Sequence, residues 1–216
     1  MIARRPPDPD PLPRPRGGLV VPMVRHAGYT LVELLFVAAG FATLSGISIP
    51  LLLAGRDSAR AVSAARYVAA RLQLARLEAV RRSACVGFRV DMSRSGMPFG
   101  LYADGNGDGV RAVDIEAGAD PALGSVEQLD QQFPGVVFGI DADVLSVDTG
   151  EPLVPEDPIR IGRTDVLSFS PAGGASGGSL YVLGRSRQQY VVRVLGVTGR
   201  VRVMQFDFRT RQWVPR

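Results

Sequence analysis

The sequence predicts an α+β chain in which one long N-terminal helix precedes, and packs on, an antiparallel, β-sandwich-like head. Three observations predict it. Residues 29–53 form an almost uninterrupted apolar run, with Glu33 as its single charge. Residues 57–84 continue with apolar positions at helical spacing. Beyond Ala84 the pattern changes to short β-branched and aromatic runs separated by Gly- and Pro-containing turns.

Each element follows in chain order. Residues 1–22 are dominated by Pro and Arg and lack apolar periodicity, so they are expected to be disordered. Met23 is a second start, which would make residues 1–22 an upstream extension of the gene model and leave a short basic leader ending at Gly28. The run at 29–53 holds 25 residues, and about 20 apolar residues suffice to cross the hydrocarbon core as a helix. It is too long for a secretory h-region of about 7–15 residues. Residues 29–53 are therefore expected to span a membrane once, with residues 54–84 as the amphipathic second half of the same helix. On that second half, Ala61, Ala65, Val68, Leu72 and Ala79 share one stripe. Arg56, Arg60, Arg71, Glu78, Arg81 and Arg82 fall mostly on the other side, and Glu78 is placed to pair with Arg82 at i+4. A helix over 29–84 would be about 80 Å long at ~1.5 Å per residue, and Pro50 is expected to kink it.

Strands are expected at 85–90, 99–103, 179–183, 190–195 and 201–206, with a glycine-rich loop at 173–178. Residues 112–165 read as an acidic insert of irregular loops around one or two strands, such as 136–140. Charge is segregated. Residues 100–165 carry three Arg against 14 acidic residues, a net of −11, and residues 181–216 carry eight Arg against one Asp, a net of +7. These regions either attract each other within the head or face different neighbours. All 25 basic residues are Arg, and a GC-rich coding bias explains that more simply than nucleic-acid binding.

The unit that carries chemistry is Gly28-Tyr29-Thr30-Leu31-Val32-Glu33. Glycine at the end of the leader lets a peptidase approach the backbone closely. Cleavage after Gly28 makes Tyr29 a free N-terminus at the interface, where an aromatic ring is favoured. A carboxylate inside a membrane helix costs several kcal/mol and calls for a partner. The α-amine of Tyr29, in the same chain or a neighbouring subunit, is the natural one. The bland reading is a Glu33 that snorkels to the headgroups.

These residues resemble the type IV pilin family, whose members carry a Gly-aromatic-Thr-Leu-apolar-Glu unit before about 20 apolar residues. Counting from Tyr29, Glu33 and Pro50 fall where pilin-like proteins commonly carry Glu and Pro. Further on, Ala75-Arg76-Leu77-Glu78-Ala79-Val80-Arg81-Arg82 with Val86, the turn Asp104-Gly105-Asn106-Gly107-Asp108, Leu167-Ser168-Phe169-Ser170-Pro171 and Gly199-Arg200-Val201-Arg202 resemble the GspH/FimT family of pseudopilins and minor pilins. The resemblance implies a pilin-like fold with the head at 85–216. It also implies prepilin peptidase cleavage between Gly28 and Tyr29, N-methylation of Tyr29, and Glu33 and Pro50 as assembly residues. The partners would be other pilins or pseudopilins, the peptidase and the inner membrane, with the head in the periplasm. Type II secretion pseudopilus and type IV pilus both fit.

Asp104, Asn106 and Asp108 imitate half of a calcium loop, but the ninth position is Ala112 and the twelfth Ile115, so a tight turn competes with a metal site. His26 is the only histidine and Cys85 the only cysteine. With the leader removed, no Ser-His-Asp or Cys-His pair and no His/Cys metal set can form. No enzyme and no cofactor are expected. Arg193, Arg200, Arg202 and Arg209 are candidates for phosphate contact, and make a DNA-binding minor pilin the rival function. An unrelated single-pass protein with a sensory head is a second rival.

Overall fold

The computed structural model describes residues 28–162 and 166–216, the side chains of 47–54 within the helix excepted. The leader at 1–27, with Met23 and His26, and the Pro50 side chain lie outside the described residues. Helix α1 runs Leu31–Arg82. By contacts the chain forms two units, Met1–Ser45 and Gly46–Arg216. In the first unit, the described residues are the start of α1 and the three residues before it. Among the described residues, no helix is long and apolar enough to cross a membrane.

The second unit holds the rest of α1 and the head. Two antiparallel sheets form. The smaller orders β2 (Phe99–Ala103), β1 (Val86–Val90) and β5 (Val166–Phe169), with β1 central. The larger runs β3 (Val137–Phe138), β6 (Gly178–Leu183), β7 (Gln189–Leu195), β8 (Arg200–Asp207) and β9 (Gln212–Pro215). Strand β4 (Ile159–Arg160) pairs with the N-terminal half of β6 on the edge whose other half takes β3. Strand β9 is absent from the sequence reading because it is four residues long, mostly exposed and ends in proline. Two short helices, α2 (Ala112–Ala117) and α3 (Leu129–Gln132), replace part of the expected irregular insert. Each is too short to show a helical period in sequence.

The principal core joins the two sheets to α1. The alanine stripe is fully buried: Ala61, Ala65, Val68, Leu72 and Ala79, together with Ala64 and Ala75, have no exposed surface. Small side chains let the sheets approach the helix backbone, so the contact is close-packed. Phe88, Phe99 and Phe138 continue the core; Phe99 stacks on Phe88 at 5.6 Å and meets Phe138 edge-on at 5.7 Å, bridging the small sheet to the large one. Arg71, expected on the solvent side, is instead half-buried against Glu127 at 3.0 Å. The segments on either side of α3 lie along that flank of α1, so Tyr67 bonds Glu127 before it and packs its ring on Phe133 after it. Glu78 pairs with Arg82 as expected, and also with Arg81.

A second core lies on the opposite face of the large sheet. Strand alternation puts Leu180, Val182, Val192 and Val194 into the principal core and Tyr181 and Val191 into the second. Ile140, Val144 and Leu153 of the insert cover this face, with Phe206 and Trp213.

Candidate functional site

The N-terminal segment is built by a helix cap. The Glu33 N–H donates to Thr30 Oγ1 at 3.2 Å, half of a capping box with Thr30 as the cap. Thr30-Leu31-Val32-Glu33 therefore starts α1 by a local rule. Ahead of it, Gly28 has open space where a Cβ would stand, and Tyr29 is 77% exposed. Along Leu31–Leu44 the large apolar side chains are exposed on every azimuth: Leu31, Val32, Leu34, Leu35, Phe36 and Phe41 are all at least 59% accessible. A helix apolar all round is one that other apolar matter must cover.

The candidate phosphate-contacting arginines do not form one patch. Arg193 and Arg202 face each other across β7 and β8, but Arg193 is ion-paired with Asp148 of the insert. Arg200 begins β8 and Arg209 lies beyond its far end, roughly 23 Å or more away along the strand at ~3.3 Å per residue. Arg187 is held by both Asp141 at 2.7 Å and Asp143 at 2.6 Å. Its guanidinium pKa rises because both carboxylates bond it, and the Asp141 carboxyl is held below its ordinary range chiefly by that same bond. The acidic insert thus neutralises two arginines of the basic C-terminal region, Arg187 and Arg193, within the head.

At the acidic turn, Asp104 spends both carboxylate oxygens on backbone donors, Gly107 N–H at 2.7 Å and Gly109 N–H at 3.0 Å. Asn106 accepts from Asp108 N–H, and Asp108 pairs with Arg111 at 2.7 Å. Buried Asp120 takes the N–H groups of Gly105 and Arg111, both at 3.1 Å. Among the described residues, no group of three His, Cys, Asp or Glu is arranged to hold a metal ion. Cys85 is half-buried, its thiol pKa raised by burial and secondarily by Asp104.

Sequence reasoning missed how the insert is fastened. Buried Gln189 donates through Nε2 to Gly139 O at 3.0 Å and Val182 O at 3.1 Å, and accepts Asp141 N–H at 2.9 Å. Trp213 Nε1–H donates to Leu145 O at 2.8 Å. A glutamine inside a β-branched strand was the only available signal. The glycine-rich loop is fastened too: Arg76 Nε–H donates to Gly173 O at 3.1 Å, and Gly199, at φ +59°, packs where a Cβ would be driven into that same carbonyl. Three of the quoted motifs, around Arg76, after Pro171 and at Gly199, therefore meet at one point.

A family model described as type II transport protein GspH matches residues 64–198, a range that runs through the acidic insert. Among solved structures, the minor pseudopilin EpsH from the type 2 secretion system of Vibrio cholerae is similar over 68% of this chain and 97% of its own, at 16% identity and a TM-score of 0.43. No curated protein matches the sequence.

Proposed function

Because the chain belongs to the GspH family of type II transport proteins, we propose that it works as a minor pseudopilin whose N-terminal helix is processed, membrane-anchored and then packed among other pseudopilins. The family places it as a structural, non-enzymatic subunit of type II secretion. The assembly mechanism is read from the chain itself. One observation carries it: α1 changes from an all-round exposed apolar surface over Leu31–Leu44 to a one-sided buried stripe over Ala61–Ala79. The second half is satisfied by its own head. The first half is satisfied only by lipid before assembly or by other helices after it.

In this reading prepilin peptidase cuts between Gly28 and Tyr29, and Tyr29 becomes the mature, N-methylated terminus. The run at 29–53 anchors the chain in the inner membrane with the head in the periplasm. Glu33 then meets the Tyr29 amine of a neighbouring subunit, and because breaking that pair leaves a charge in hydrocarbon, it fixes the axial stagger between helices. Pro50 loosens the helix ladder for packing. DNA binding is not the favoured role, since the insert already neutralises Arg187 and Arg193.

Mass spectrometry of the mature N-terminus, on protein from its native membrane, tests the reading. A terminus at Tyr29 carrying one extra methyl is expected. A terminus between residues 54 and 70 would mean signal peptidase processing and would overturn it.

A further inference from the structure

The two ends of the large sheet differ in charge, and their contacts with α1 tell them apart. At one end Arg76 bonds Gly173, and the connections 170–177 and 196–199 carry no charged residue. At the other end the β6–β7 turn meets α1 twenty residues earlier. Ser186 Oγ–H donates to Asp57 Oδ2 at 3.0 Å, and a Cβ on Gly184 would stand 2.8 Å from that of Ala61. The β8–β9 turn lies at this same end, because Gln205 pairs with Tyr190 and Asp207 with Gln212. The Arg187 guanidinium joins the two turns, 4.8 Å over the Phe208 ring. Their tips read Arg185-Ser186-Arg187 and Arg209-Thr210-Arg211, and all six residues are exposed.

This charge is held at a conformational cost. Arg187 and Arg211 both have left-handed backbone, at φ 61° and 54°, which glycine or asparagine adopts more readily. The uncharged end places Gly173 and Gly199 at such positions. The carboxylates at the charged end are already bound within the head. Asp57 holds Ser186 and Arg60, Asp130 the Gly135 N–H, Asp207 the Arg209 N–H and Thr210, and Asp141 and Asp143 hold Arg187. Among the described residues, Arg56, Arg185, Arg209 and Arg211 form no ion pair.

We propose that this end of the head docks on anionic phospholipid headgroups of the membrane that holds the chain before assembly, through Arg56, Arg185, Arg209 and Arg211. The inference rests on the anchoring of residues 29–53 put forward above. Asp57 and Ala61 lie four and eight residues beyond that run, so the β6–β7 turn stands about 6–12 Å past it along α1. The polar layer on each side of the hydrocarbon is about 5–8 Å thick, and arginine side chains on the turn tips reach it. A guanidinium offers paired N–H donors to a phosphate. Nucleic acid carries the same phosphates, but the apolar run brings this end, and not the uncharged one, to the bilayer. Leaving the membrane for a fibre then breaks the headgroup contacts.

The test uses the full chain in nanodiscs of phosphatidylcholine, alone or mixed with phosphatidylglycerol, each with a trace of dansyl-headgroup lipid. Trp213, the only tryptophan, pairs with Phe206 beside the β8–β9 turn and serves as energy donor. Transfer should rise when phosphatidylglycerol is present and fall back with added salt. Arg185→Ala, Arg209→Ala and Arg211→Ala should each lower the ratio of docked to free heads about fivefold. Arg185→Glu/Arg209→Glu/Arg211→Glu should return transfer to its phosphatidylcholine value, with an unchanged near-ultraviolet circular dichroism spectrum showing that the head is still folded. Inorganic phosphate or a DNA duplex, added at constant ionic strength, should not release the head. Transfer that ignores lipid charge or the Glu substitutions, or release by phosphate or duplex, would overturn the docking while leaving the anchoring intact. A chain that does not float with lipid vesicles would overturn both.

Discussion

The proposed processing and assembly rest on Gly28 and Glu33. In that reading Gly28→Val places a branched Cβ at the bond to be cut, and the precursor should accumulate uncut on an immunoblot, with no mature band. Glu33 is anchored through its backbone to the Thr30 hydroxyl, so its side chain is not needed to start the helix. Glu33→Leu removes the only charge from the 29–53 run, and membrane insertion should be equal or better while incorporation into the fibre is lost. Normal incorporation with that change would rule out the pairing of Glu33 with a neighbouring amine. Inside the head, Gly199 has left-handed backbone, and an added methyl would strike the Gly173 carbonyl that Arg76 holds. Gly199→Ala should therefore destabilise by at least about 1–2 kcal/mol in a thermal melt, and Arg76→Ala, which only loosens the same loop, by less.

Pairs of elements set the behaviour of the insert. The segment after β3 is tied to β7 by Gln189 and by the Arg187–Asp141 pair. Replacing Gln189 with Leu takes the partner from the buried Val182 carbonyl and from the half-buried Asp141 N–H and Gly139 carbonyl, at a cost of at most roughly 1–3 kcal/mol per group. Denaturant unfolding should show the loss. The ion pair adds a pH dependence whose sign follows from the depressed Asp141 carboxyl. Its stabilisation is present above the ordinary carboxyl pKa, about 3.9, and disappears as pH falls through the lower folded value. Trp213, the only tryptophan, packs on Tyr181 and Phe206 and bonds the insert at Leu145. Its fluorescence should stay constant from neutral pH to about 4 and shift below that. Arg187→Ala should move the transition to higher pH, and an unmoved midpoint would show that the pair does not hold the insert.

On the scale of the whole molecule, the insert is part of the head's architecture rather than a separable acidic appendage. Ile140, Val144 and Leu153 cover the outer face of the large sheet, over Tyr181, Val191 and Phe206. Excising residues 139–153 would uncover a contiguous apolar face on that sheet. The shortened chain should aggregate or bind a hydrophobic dye strongly, in contrast to the intact protein. A monomeric, dye-silent deletion variant would show the second core to be dispensable.

Much of this protein was legible in its residues alone. The apolar run with one Glu, the Gly-Tyr-Thr-Leu-Val-Glu unit and the alanine stripe are local or periodic signals, and periodicity survives in one dimension. Strands β1, β2, β6, β7 and β8 were legible for the same reason, each carrying β-branched residues between turns. What only the tertiary structure decided is long-range pairing. Arg71 turned inward because Glu127, 56 positions away in the chain, came to meet it. The opposed charges of the insert and the C-terminal region could have faced separate partners. They met because the sheet's second apolar face needed covering, and the segment that covers it carries Asp141, Asp143 and Asp148 beside Arg187 and Arg193. Short elements such as α2, α3 and β9 hold too few residues to show a period, so their existence depends on neighbours that the sequence does not place beside them.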